Sequence, residues 1–174
     1  MRTTVHLACA LALGVCSVAQ PAQAKPAVWM EGTWSLDAQS STSLDPVLQA
    51  MGYGWIARKV MSSLAVKQVI RATRRGISFR VITRFTDEAI VLPVDNRWAI
   101  GKNLDGGTTE RRSRWLGKGD TLLTEDRFPQ GLMTTARRRI SDVVFHEEVT
   151  FKVPGKTPVR AVRVFRRQRG SDGR

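Results

Sequence analysis

Cysteine is nearly missing from this chain. Its 174 residues include two, Cys9 and Cys16, and both lie within residues 1–24. A domain folded from Lys25 onward therefore has no disulfide, no thiol nucleophile and no cysteine-based metal site. It has to rely on its core, and about 150 residues suffice for that. Histidine is equally scarce, with His6 and His146 alone. No G-x-S-x-G, H-E-x-x-H or phosphate-loop motif occurs. The run Asn103-Leu104-Asp105-Gly106-Gly107 lacks the spaced acidic ligands of a calcium loop and reads as a turn. His146 stands beside Glu147, but neighbouring strand residues point to opposite faces, so the two do not form an acid–base pair. These absences speak against an enzyme, a metal and a cofactor.

Long apolar runs are scarce too. The one that stands out spans residues 5–19; Arg2 precedes it and Ala22-Gln23-Ala24 follows it. It is shorter than the roughly 20 residues that span a bilayer. A basic start, an apolar middle and small residues at a cleavage site make a secretory signal peptide. The expected organisation is a leader over 1–24, one domain over 25–167 and a flexible basic tail over 168–174. The protein is then secreted or periplasmic; the residues do not choose between the two.

Acidic residues are outnumbered, 15 against 28 lysines and arginines, for a net charge of +13. Such a surplus attracts polyanions and anionic lipid but does not determine a fold. The basic residues are scattered over many segments and form no arm or recognition helix, which argues against nucleic acid as the partner.

What the sequence does contain is short alternating segments. Residues 32–37 alternate around Trp34 and Leu36. Pro46 then suits a first helical position. Leu44, Val47, Leu48 and Met51 recur at helical spacing, and Trp55, Ile56, Val60, Met61 and Leu64 form a second short amphipathic segment. Strands are expected at 66–70, 77–82, 89–94, 108–115, 121–127, 132–140, 143–153 and 159–167. Turn signals separate them, among them Gly117-Lys118-Gly119-Asp120, Pro129-Gln130-Gly131 and Ser141-Asp142. Serial hairpins of this kind imply an antiparallel barrel or sandwich, and a helix pair after the first strand favours a barrel with a lid.

Several of these segments resemble the intracellular fatty-acid-binding proteins. Gly32-Thr33-Trp34-Ser35-Leu36 is similar to that family's G-x-W-x-L strand. Leu44-Asp45, Leu48, Gly52-Tyr53-Gly54 and Ala57-Arg58-Lys59-Val60 are similar to its helix pair. Thr134-Thr135-Ala136-Arg137-Arg138 resembles its T-T-x-x-R strand, and Arg163-Val164-Phe165 its closing R-x-Y. The likeness covers about residues 32–167 and is poorest over 94–112. It implies an all-β fold: a ten-stranded antiparallel up-and-down β-barrel, or clamshell, with a short helix-turn-helix lid after the first strand. It also implies a fatty acid or other small lipid held inside by Arg138, Arg163 and Phe165. Phe165 departs from the pattern, because it lacks the phenolic hydroxyl. Export is a second departure.

The residues support part of this site directly. Over 132–140 the even positions are the more apolar, so that face is expected inward, carrying Arg138. A one-step register error among three consecutive arginines is the alternative. Glu147 shares parity with Phe145, Val149 and Phe151; either it faces inward and satisfies an arginine, or a bulge turns it out. If it faces inward, the cavity prefers a neutral or weakly polar lipid. Leu48, Met51 and Trp55 are expected at the cavity mouth, with Arg58 and Lys59 placed for transient contact with an anionic membrane. The expected function is non-catalytic lipid binding and transport by a monomer. The alternative is a barrel filled by side chains whose basic outer stripe (Arg111, Arg112, Arg114, Arg137, Arg139, Arg160, Arg166) binds polyanions or anionic lipid.

Overall fold

The computed structural model describes residues 28–103 and 107–168. The leader expected over 1–24, the tail beyond Gln168 and the centre of the 103–107 turn lie outside the described residues.

The strand β1 (Gly32–Asp37) leads into two short helices, α1 (Asp45–Ala50) and α2 (Trp55–Ser62). Nine strands follow: β2 (Lys67–Thr73), β3 (Gly76–Ile82), β4 (Asp87–Leu92), β5 (Ala99–Lys102), β6 (Thr108–Leu116), β7 (Thr121–Phe128), β8 (Gly131–Arg139), β9 (Val144–Lys152) and β10 (Val159–Arg167). All pairings are antiparallel between chain neighbours, except that β1 also pairs with β10, Leu36 opposite Phe165. That pairing curls one ten-stranded sheet onto itself, with β4 and β5 as its two unbonded edges. The result is the expected clamshell barrel with a helical lid.

Alternation decides what lies inside. On β9, Phe145, Glu147, Val149 and Phe151 are buried while the intervening residues are partly exposed. One end of the barrel is filled by a cluster that includes Trp34, Ile70, Phe79, Phe145 and Phe165. Phe145 stacks on Phe165 with ring centroids 4.9 Å apart, and Trp34 meets Phe145 edge-on at 4.8 Å. A second cluster, Val47 with Val149, Phe151 and Ala161, seats α1 on the barrel mouth.

The chain is locally suited to these elements. Pro46 opens α1, and the Ser43 hydroxyl accepts the Asp45 N–H at 3.1 Å. Val47 and Leu48 are its buried face, whereas α2 buries no residue fully. Gly32 has φ +128°, and a Cβ there would lie 2.5 Å from the Arg167 guanidinium. The positive φ calls for glycine, and a side chain there would displace the Arg167 guanidinium. No described helix is long and apolar enough to cross a membrane.

Candidate functional site

Between the two clusters the barrel holds a partly open cavity of about 370 Å³, lined by members of both. This is within the range of small-molecule sites, roughly 300–1,000 Å³. Its wall is mostly apolar: Leu44, Leu48 and Met51 from the lid, Phe79 and Leu92 from one side, Met133 and Val149 from the other.

Five charged side chains also face it. Register explains three of them. On adjacent strands Arg137 of β8 stands opposite Glu147 of β9, which stands opposite Arg163 of β10. Directly opposed residues share a face, so the three form a row across the cavity wall. Arg163 Nη1 donates to Glu147 Oε1 at 3.2 Å. Arg137 Nε lies 2.9 Å from Glu147 Oε2. That N–H is not aimed at the oxygen, so the contact is an ion pair without a hydrogen bond. Glu147 is 3% exposed. Burial pushes its carboxyl up, but the adjoining guanidinium groups of Arg137 and Arg163, with Gln68, outweigh burial and hold it below the usual range. The Arg137 guanidinium also lies over the Phe79 ring at 4.5 Å. The remaining two, Arg111 and Asp126, pair through Arg111 Nε and Asp126 Oδ1. Here burial wins: it raises the Asp126 carboxyl despite Arg111 and Arg137.

Of the residues singled out from sequence, Arg163, Glu147, Leu48 and Met51 line the cavity. Three others are corrected. Arg138 is on the outer face of β8; the inward residues are Met133, Thr135 and Arg137. The face with more polar groups points in, because the interior is a cavity and not a filled core. Phe165 does not line the cavity. It is fully buried beneath it and supports Arg163, whose guanidinium lies 5.1 Å from its ring. Trp55 is 65% exposed at the start of α2, and Met61 of the same helix faces the cavity instead. Six residues advance a helix by nearly two turns and leave Trp55 and Met61 roughly 120° apart.

The outward basic stripe is also altered. Arg111 and Arg137 face inward. Outside, Arg112 and Arg114 share Glu125, Arg160 meets Glu148, and Arg166 meets Asp37. Arg139 donates to Asp142. Arg58 is less free than expected, since it pairs with Asp45 at 3.4 Å. Sequence reasoning missed Arg111, Asp126, Arg137 and Gln68 as cavity residues. Among the described residues, no cluster of three or more acidic, histidine or cysteine side chains is placed to hold a metal.

A β-barrel of ten strands with a helical lid over an internal cavity is the architecture of the fatty-acid-binding proteins, and solved structures agree. The REP1-NXSQ fatty acid transporter superposes with a TM-score of 0.67 at 18% identity, covering 81% of this chain and 97% of that one. A Schistosoma mansoni fatty acid binding protein in complex with arachidonic acid gives 0.66 at 16%, covering 80% and 96%. Human cRBP IV gives 0.64 at 17%, covering 80% and 98%. At these identities the likeness establishes the fold. No family model and no curated protein matches the sequence.

Proposed function

We infer that this protein binds and carries a small hydrophobic ligand, a fatty acid or a related single-chain lipid, inside its barrel without catalysis. The observation that carries this is the largely apolar cavity of about 370 Å³ inside the barrel with Arg137 and Arg163 in its wall. An apolar tail gains roughly 0.8 kcal/mol per methylene buried there. The arginines fix the head group, since guanidinium N–H groups donate to oxygen. The cavity itself disfavours a barrel packed solid by side chains. The engagement of the outer arginines with Glu125, Glu148, Asp37 and Asp142 weakens the polyanion alternative.

The lid supplies a route. Trp55 and Ile56, 65% and 72% exposed, stand at its tip with Lys59. Exposed apolar residues beside a cation suit transient contact with an anionic lipid surface. The carrier acts as a monomer, exported after removal of residues 1–24. Intact mass of the protein recovered from an exporting host tests the cleavage.

Native mass spectrometry of the purified full chain tests the binding. A retained or readily reloaded lipid is expected, and Val149→Trp, which fills the cavity, should lose it. A protein that takes up no lipid yet binds polyanions in a strongly salt-dependent way would favour the surface-binding alternative.

A further inference from the structure

The interior is wired for more than a carboxylate. Four buried polar atoms at the cavity wall have no hydrogen-bond partner: Arg137 Nε and Nη1, Glu147 Oε2 and Gln68 Oε1. Gln68 and Glu147 are each 3% exposed and both line the cavity. Buried polar groups are normally satisfied, and each exception calls for a partner. Arg137 Nε and Glu147 Oε2 already lie 2.9 Å apart, so a small rotation satisfies both. One donor then remains, Arg137 Nη1, and one acceptor, Gln68 Oε1.

A hydroxyl complements that remainder, because it donates and accepts through one oxygen. A carboxylate accepts only, so it leaves the Gln68 oxygen orphaned. It also meets poor electrostatics. Each cavity arginine is already engaged: Arg111 with Asp126, and Arg137 and Arg163 with Glu147. The three guanidinium groups thus have carboxyl partners already built into the wall. A ligand carboxylate drawn to Arg137 or Arg163 would sit beside the Glu147 carboxylate that they already share.

The geometry points to a lipid with a hydroxyl head, a fatty alcohol or a similar neutral donor–acceptor group, as the preferred ligand. Arg137 Nη1 donates to the hydroxyl oxygen and Gln68 Oε1 accepts the hydroxyl's hydrogen bond, while Glu147 holds Arg137 in place and repels acids. This rests on the carrier function inferred above and narrows its ligand class.

Dodecanol, dodecanoate and dodecyl methyl ether share a tail and differ only in the head. Each is titrated at about pH 8, where a carboxylic acid is ionised, against a polarity-sensitive fluorophore bound to the delipidated full chain. Dodecanol is expected to bind tightest. The ether, stripped of its donor, should bind about tenfold more weakly, the equivalent of one lost hydrogen bond. Dodecanoate should fall below dodecanol by at least a similar factor. In Gln68→Leu the gap between alcohol and ether should close, while dodecanoate barely changes. Dodecanoate binding tighter than dodecanol, or alcohol and ether binding alike to the unmodified protein, would overturn the hydroxyl preference and leave the carrier standing. If none of the three displaces the fluorophore, the carrier function fails and the preference with it.

Discussion

Glu147 balances two guanidinium groups at once, so its removal strands both. Glu147→Leu should destabilise the fold by about 3 kcal/mol, because breaking a buried pair leaves uncompensated charge. Urea unfolding at neutral pH measures this. Arg138→Ala, one residue from the corresponding arginine, should change stability by less than about 0.5 kcal/mol, as outward surface substitutions do. Acid acts at the same scale. Hydrogen bonds from Arg166 and Ser40 lower the Asp37 carboxyl from 3.8 to about 2. A depressed carboxyl stabilises the fold above its unfolded value and loses that contribution as pH falls through its folded one. Stability should therefore decline between pH 3.8 and about 2, and Asp37→Asn should flatten that part of the curve of unfolding midpoint against pH. The Arg137–Arg138 choice turned on one residue of register. A turn centred between Ser141 and Asp142 would set Arg138 opposite Phe145, whereas the pairing is centred on Asp142 and sets Arg137 opposite Glu147. Taking the more apolar face of β8 as the inner one misled, because on this strand the cavity wall carries Thr135 and Arg137.

At the scale of elements, the barrel is closed by a clasp at its base. Arg167 of β10 donates to the backbone carbonyls of Trp29, Glu31 and Asp142, and its guanidinium lies 4.3 Å from the centre of the Trp34 ring. The space it needs is the space Gly32 leaves open. Arg167→Ala should cost about 2 kcal/mol, given how much hydrogen bonds to charged groups contribute. Amide exchange should rise first near residues 29–32; uniform exchange across the sheet would place the clasp elsewhere. Most elements were legible because alternation and turn residues agree. The exception is β5. It is four residues long, and its Ile100 is 71% exposed. An edge strand buried on neither face leaves no period to read. Trp55 misled for a related reason. It is an apolar residue in an amphipathic segment, yet the helix start turns it outward.

The whole molecule is a sheet curled until its ends nearly meet, and its function depends on what fills the middle. The series of hairpins with an inserted helix pair pointed to a lidded barrel, and the ten strands and the internal cavity were implied by the family resemblance. The charged row across β8, β9 and β10 followed only once register was fixed. The most direct test of the central claim is where a ligand tail lies. NMR of the protein bound to a carbon-13-labelled dodecyl lipid should give contacts from tail methylenes to the side chains of Met133 and Val149, and from the head to Arg137. Contacts confined to Trp55 and Ile56 on the lid, with none inside, would contradict the account.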